Sequence, residues 1–346
     1  MSFVDKIWYE KSLSAWLLSL PLRPFSWIFA FISALRRQCY QSGVFKSTAP
    51  LLPVVIVGGL AAGGSGKTPL CIALIKELQR RGYKPGLISR GYRAQCKKFP
   101  FRLEADTPAK TAGDEPFLIK HETGAEVVID PRRERGAQYL AELGVNVIIS
   151  DDGMQHYALD RDVEIAVVDG VRMFGNKKLL PAGPLREGLW RLKSVDSVVI
   201  NGPVSQIRFT SMVLHPQAPK PLNPEFAGTI EKGSGVIALA GIGNPDRFYK
   251  TLEDFGFAIK GVIRASDHER IPVHKIKEAA KKAPVVMTAK DAVKYSSETL
   301  SNVFVLNVEA FLSSSFYDDV ENLIKNAKNK IELRARRQKK QGETNK

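Results

Sequence analysis

Short apolar runs alternate with stretches of helical spacing from residue 53 onward. Residues 53–57 read as a buried strand, and 67–81 as a helix with Leu70, Leu74 and Leu78 on one stripe and Gly82 as its stop. Further strands are expected at 86–89, 127–129, 145–149, 163–168 and 198–201, with a helix over 131–143 opened by Asp130 and closed by Gly144. Alternation of this kind builds a parallel sheet covered on both faces, a three-layer α/β/α unit. The proline-rich stretch 215–224 has no period and marks a connector. Beyond it the alternation restarts, with strands at 235–240, 260–263, 285–288 and 303–308 and helices at 245–255, 273–282 and 316–328. The boundaries that follow are an N-terminal segment over 1–40, a first α/β domain over 41–215, a hinge over 216–232, a smaller α/β domain over 233–330 and a basic tail over 331–346 expected to be disordered.

The N-terminal segment breaks the pattern. It is rich in Trp, Phe, Leu and Ile, yet its longest uncharged run, 24–35, falls short of the roughly twenty residues needed to span a bilayer. Aromatics mixed with Arg23, Arg36 and Arg37 suit a helix lying in a membrane interface, although a helix packed on the protein's own core has the same signature. No cleavable signal is present. The 346 residues carry a formal net charge of +15, which asks for an anionic partner. Part of that charge lies between Lys325 and Lys340, where Glu332 is the only acid, so anionic lipid is a candidate partner. The tail lacks interleaved aromatics and no recognition module appears, which argues against nucleic acid. The three cysteines are far apart and form no CxxC pair, as in a reducing compartment.

Chemistry enters at Ala61-Ala62-Gly63-Gly64-Ser65-Gly66-Lys67-Thr68, between the first strand and the first helix. Glycines there let backbone N–H groups crowd around phosphate oxygens, and the helix N-terminus adds its positive end. Lys67 is placed to reach the β- and γ-phosphates of ATP, and the Thr68 hydroxyl to bind Mg²⁺. Ala61 replaces the usual first glycine of this loop. Asp151 and Asp152, after the strand at 145–149, fit the second carboxylate element that holds Mg²⁺ in such proteins, though Asp-Asp-Gly is also good turn chemistry. A GTPase base-recognition run is missing: 176–179 lacks its Asp, and 288–291 has the wrong order. Ala62 stands where a membrane-partitioning ATPase would carry lysine.

In order along the chain, AAGGSGKTP (61–69), SRGYR (89–93), GDEP (113–116), DDGMQH (151–156), LRE (185–187), GIGNPDRF (241–248), Asp267-His268 and KDAVK (290–294) resemble the motifs of the tetraacyldisaccharide 4'-kinases of lipid A biosynthesis. Met154, Ala289 and Arg93 depart from the family's commoner Phe, Glu and Gly. The resemblance implies two α/β/α domains joined by a strand-like hinge, with the site in the cleft between them. The implied reaction is ATP-dependent phosphorylation of the 4'-hydroxyl of a tetraacylated glucosamine disaccharide 1-phosphate at the cytoplasmic face of the inner membrane. It also implies a base made of Asp114 and His268, with Glu115 a further acid near the metal. Gln155 and His156 fall to nucleotide or acceptor contacts. Arg90, Tyr92, Arg186 and Glu187 fall to the acceptor, and Arg132, Arg133 and Arg135 could balance phosphate charge. No obligate protein partner is evident. Other readings remain open on the residues alone: a kinase of a soluble acceptor, or a membrane-associated nucleotide switch needing neither Asp114 nor His268.

Overall fold

The computed structural model describes residues 3–203, 209–266 and 269–344, with 337–344 as backbone only. Helices α1 (Phe3–Tyr9), α2 (Leu13–Ser19) and α3 (Arg23–Gln41) precede the first sheet. That domain then runs β1 (Val54–Gly58), α4 (Lys67–Arg80), β2 (Pro85–Ser89), β3 (Phe101–Arg102), α5 (Ala109–Ala112), α6 (Asp114–Thr123), β4 (Glu126–Ile129), α7 (Arg133–Glu142), β5 (Val147–Asp151), β6 (Val163–Asp169), β7 (Ser197–Asn201) and β8 (Thr210–Pro216). The second sheet collects β9 (Lys220–Pro221), β10 (Gly235–Ala240), α8 (Pro245–Phe255), β11 (Ala258–Arg264), α9 (Val273–Ala280), β12 (Val285–Thr288), α10 (Ala289–Ala292) and β13 (Val303–Leu306). The chain then returns through β14 (Val308–Phe311) and α11 (Ser314–Thr344).

In the nine-stranded sheet the order is β14-β8-β7-β6-β1-β5-β2-β4-β3, and in the five-stranded sheet β11-β10-β12-β13-β9. β1 lies between β5 and β6 and pairs parallel to both. Its five residues are all buried, as a central strand covered on both faces requires. Because side chains alternate, Val55 and Val57 join α4 and α11 in one core layer, while Val54 and Ile56 join α7 in the other. Leu70, Leu74 and Leu78 of α4 are buried on the first of these faces, as their spacing predicts.

Two boundaries differ from the sequence reading. The helix expected to close the smaller domain is α11, and it packs on α4 of the first domain. Its strand β14 pairs antiparallel with β8, so the chain crosses between domains twice, and the Gln217 amide donates to the Asn307 carbonyl (2.9 Å) where the two crossings meet. The basic tail, expected to be disordered, continues α11 to Thr344. Elements β3, α6, β8 and β14 carry no strong period and go unread in the sequence.

The N-terminal helices lie against the first domain on one side only. Ser26 Oγ donates to the Leu179 carbonyl (2.8 Å) and accepts from the Ala182 amide (2.9 Å), Lys178 reaches Ser19 Oγ (3.1 Å), and Trp8 Nε1 donates to the Pro181 carbonyl (3.0 Å). The opposite side exposes Phe25, Trp27, Ile28, Phe31 and Leu35, with Trp27 71% exposed. Pro21, Arg23 and Pro24 do not break the run: a 3₁₀ turn over Leu20–Leu22 carries α2 into α3. The whole of Leu13–Gln41 is therefore long and apolar enough, by length and composition alone, to cross a membrane.

Arg81, after α4, joins that helix to α11. Its guanidinium meets Glu77 (2.7 Å), Glu321 (2.6 Å) and Asp318 (2.7 Å). Hydrogen bonds from Arg80 and Arg81 hold Glu77 near 2, and Lys325 and Arg81 do the same for Glu321. Folded-state values below the unfolded ones mean that this stabilisation is full above the ordinary carboxylate range and is lost as pH falls toward about 2. Arg81→Met should cost about 1 kcal/mol at pH 7, since the cluster is partly solvated, and denaturant unfolding at pH 7 and pH 3 should show the cost shrinking at the lower pH.

Candidate active site

At the C-terminal end of β1 the chain turns at Gly58 and Gly59, and the following residues are spent on backbone bonds. Ala62 N donates to Pro184 O (2.8 Å), and Arg186 N donates to Leu60 O (2.6 Å). Ala61 pairs with Leu185 in an isolated antiparallel bridge. Ala61 and Ala62 thus tie the loop to the 184–186 segment, and Gly63 through Thr68 line the open cleft of 1880 Å³. Gly66 sits at the α4 N-cap with φ +95°, a left-handed conformation that glycine adopts without penalty. A β-carbon there would fall 2.3 Å from Asn201 Nδ2.

β5 delivers Asp151 and Asp152 beside this loop. Lys67 Nζ lies 3.6 Å from Asp152 Oδ1, Arg186 Nη1 lies 2.8 Å from Oδ2, and Arg133 donates to the Asp152 carbonyl (3.0 Å). Burial alone would push the Asp152 carboxyl up, but Lys67 and Arg186 outweigh it and hold it well below the usual range. Asp151 has the opposite balance. Its burial, then repulsion from Glu115 and Asp152, raises it to about 7, with Lys67 and Arg133 offsetting only part. Glu115 itself is paired across the cleft with Lys290 of α10 (3.0 Å).

A buried carboxylate, Asp151, raised by burial and by two carboxylate neighbours beside a phosphate loop suits a hard divalent cation. No three His, Cys, Asp or Glu side chains cluster tightly enough to hold a metal alone among the described residues. Mg²⁺ on a nucleotide needs fewer, because phosphate and water supply most of its six oxygens. Thr68, Asp151, Asp152 and Glu115 fit that role, with Asp151 carrying the uncompensated charge.

Glu187 is buried, and its carboxylate accepts from Tyr157 and from Gln155 Nε2 (3.0 Å). Gln155 also donates to the Gly59 carbonyl (3.3 Å). The sequence reading gives Glu187 to the acceptor; in the structure it bonds Tyr157 and holds Gln155 against the turn after β1. His156 Nε2 lies 3.2 Å from Glu134 Oε2, and burial with Arg133 nearby lowers its pKa, so the neutral ring donates from Nε2. Arg90 and Tyr92 follow β2 and line the cleft, Tyr92 55% exposed. Of the arginines, Arg133 and Arg186 converge on Asp152, whereas Arg135 pairs with Asp130 (2.7 Å) and Arg132 with Glu134 (3.3 Å). Asp114 opens α6 beside Glu115, and His268 lies outside the described residues.

Sequence reasoning missed four contributors. Lys290 lies in a quoted motif, but nothing in one chain says that it meets Glu115. Arg36 of α3 donates to the Gln155 carbonyl (3.2 Å) and lines the cleft with Phe29 and Ile32. Asn201 and Arg247 meet against the phosphate loop. Strand-end polarity was the available signal for Asn201, and Arg247, like Lys290, lies in a quoted motif; Arg36 has no such signal.

Backbone arranged to hold phosphate, next to carboxylates arranged to hold its cation, places the chain among the P-loop nucleotide-binding phosphotransferases. The family model for LpxK, tetraacyldisaccharide-1-P 4'-kinase, matches residues 18–325. The tetraacyldisaccharide 4'-kinase of Vibrio parahaemolyticus is 42% identical over 94% of this chain and 97% of its own length. That of Shewanella sp. strain MR-4 is 45% identical over 90% and 92%. A crystal structure of LpxK from Aquifex aeolicus in complex with ATP superposes with a TM-score of 0.71 at 25% identity, covering 89% of this chain and 99% of that one. The chain belongs to the tetraacyldisaccharide 4'-kinase family.

With Asp151 near 7 in the metal-free protein, protons compete with Mg²⁺ below that pH. Calorimetry of a magnesium-bound, non-hydrolysable ATP analogue should show affinity falling about tenfold from pH 8 to pH 6, after allowance for the nucleotide's own titration. In Asp151→Asn binding should be weak at both pH values and the protein's own contribution to the slope should vanish.

Proposed function

We propose that this protein transfers the γ-phosphoryl group of ATP to the 4'-hydroxyl of a tetraacylated glucosamine disaccharide 1-phosphate, working as a monotopic protein at the cytoplasmic face of the inner membrane. The observation that carries the reading is one cleft with two kinds of wall. Gly63 through Thr68 form one side, and Phe29, Ile32 and Arg36 of α3 another, while the outer side of α3 offers lipid an aromatic surface. A soluble acceptor would need no such wall. An acylated sugar can keep its chains in the membrane and reach Lys67 with its head group.

In this reading ATP lies with its phosphates over Gly63–Gly66, its β- and γ-oxygens met by Lys67. Thr68, Asp151 and Asp152, with Glu115 nearby, would hold Mg²⁺, which would supply neutralisation of phosphate charge. Asp114, one residue before Glu115, accepts the 4'-hydroxyl proton as the hydroxyl oxygen bonds to the γ-phosphorus and the bond from that phosphorus to the β–γ bridging oxygen breaks, leaving ADP. His268, paired with Asp114 in the family, orients that carboxylate or shares its proton. Arg90, Tyr92, His156 and Arg186 face the acceptor, and Arg186 in addition holds Asp152 ionised. Lys290 draws the second domain onto Glu115, so the site is complete only when the domains meet. The exposed apolar side of α3 seats in the bilayer interface, with the basic end of α11 available to anionic lipid.

Detergent-solubilised protein given labelled ATP, Mg²⁺ and the tetraacyldisaccharide 1-phosphate should label the lipid. No transfer by the intact protein overturns the reading and leaves a nucleotide switch. Asp114→Asn should lower kcat by about 10²-fold or more, with nucleotide affinity little changed.

Membrane attachment is tested separately. Phe25→Glu, Trp27→Glu and Phe31→Glu combined should move the protein from the membrane pellet to the supernatant in a vesicle sedimentation assay. Continued pelleting would assign the attachment to α11 instead.

A further inference from the structure

We infer that Arg247 and Asn201 form a relay through which the second domain sets the shape of the phosphate loop, making both positioning residues for phosphoryl transfer. The inference rests on the kinase reading for its consequence but on geometry for its existence. Asn201 ends β7 and is buried against the loop. Its Nδ2 donates to the Ser65 carbonyl (3.1 Å), and its side chain packs over Gly66 so closely that no β-carbon fits there. Arg247, on α8 of the second domain, closes the other end. Its Nη2 donates to Asn201 Oδ1, and its Nη1 lies 3.4 Å from the Asn201 carbonyl.

The chemistry follows from peptide geometry. In a trans peptide the C=O and the next N–H point in opposite directions. Holding the Ser65 carbonyl back toward β7 therefore aims the Gly66 N–H forward, to the side where phosphate oxygens sit. An asparagine amide can flip and offer oxygen where nitrogen is needed. Arg247 removes that freedom, because a guanidinium only donates and so demands Oδ1. Thus the arginine of one domain fixes the amide that fixes the peptide of the other.

The loop that leads into α8, residues 241–244, is itself anchored on both sides. Asp291 accepts from the Gly241 amide (2.9 Å) while paired with Lys294 (2.7 Å), which makes the loop's root rigid. From the first domain, Arg172 donates to the Gly243 carbonyl (2.7 Å), and Asp169 accepts from Asn244 Nδ2 (3.3 Å). Gly243 lies against the phosphate loop, where a β-carbon would fall 2.7 Å from Gly64 N. Contacts of this density let the second domain report its position to the phosphate loop with no part for the acceptor.

The test is a set of four variants: Arg247→Met, Arg247→Lys, Asn201→Asp and the pair Arg247→Met with Asn201→Asp. Steady-state phosphoryl transfer and calorimetric binding of a magnesium-bound, non-hydrolysable ATP analogue are both measured. Asn201→Asp places oxygen against the Ser65 carbonyl and should weaken analogue binding about tenfold. Arg247→Met should weaken it several-fold, with the Lys variant between Met and the unaltered protein and the KM for the acceptor unchanged. The pair should be no worse than Asn201→Asp alone. Losses that multiply in the pair, analogue binding unchanged in Arg247→Met, or a shift in acceptor KM in place of nucleotide affinity would each overturn the relay. Thermal melting identifies an Asn201 variant that fails to fold, and the Met–Lys series at Arg247 then decides the question. If the unaltered protein transfers no phosphate, the kinase reading fails, yet calorimetry still decides the relay.

Discussion

Asp152 is held ionised by Lys67 and Arg186, while Asp151, one residue earlier at the end of β5, is buried beside Glu115 and Asp152, and its cations offset only part of that burial and repulsion. The rest of the site is built around this inequality. A strand end that buries a carboxylate pays its desolvation cost whenever the group ionises, and a divalent cation arriving with phosphate is the means of recovering it. Lys67 cannot satisfy both carboxylates, because it also belongs to the phosphate loop. The remaining charge therefore comes from elsewhere: Arg133 from α7, Arg186 from the segment that Ala61 and Ala62 hold in place, and Lys290 from the second domain through Glu115. Each element near the loop contributes a cation or positions one.

That electrostatic requirement gives the double crossing between domains a purpose. A single connector would leave the second domain freer than two adjacent crossings bonded at Gln217 and Asn307. β14 and α11 make the return leg, and α11 packs against α4, the helix whose first residues are Lys67 and Thr68. The Arg81 cluster fastens α11 to the far end of α4, so the phosphate helix is held at one end by the protein's C-terminal helix and at the other by the loops of the site.

Much of this was legible in the sequence, for a physical reason. Buried parallel strands such as β1 must be apolar throughout, and a helix on their face must repeat at 3.6 residues, so local pattern sufficed for β1, α4, β5 and β10. The phosphate loop was legible because glycine, lysine and threonine are needed there for separate reasons. What stayed hidden was whatever depends on partners distant along the chain. α11 reads as the last helix of the smaller domain because it follows β13, and only the pairing of β14 with β8 reveals its return. Glu187 falls to the acceptor through the resemblance of 185–187 alone, and only the fold shows its bonds to Gln155 and Tyr157. Lys290 and Arg36 are ordinary basic residues until the fold brings them to Glu115 and Gln155.

The N-terminal segment shows how these levels meet. Its apolar residues exceed what the domain can bury, since α3 uses Ser26 and its neighbours to attach and leaves its aromatics outward. A soluble protein gains nothing from an outward aromatic face of that size. The same helix sends Arg36 the other way, to the carbonyl of Gln155, whose side chain touches the turn behind the phosphate loop. One helix thus carries both an apolar surface and a polar contact to the site. An acceptor that is half lipid and half sugar phosphate has the same two halves, and on the proposed reading α3 is the element that matches them.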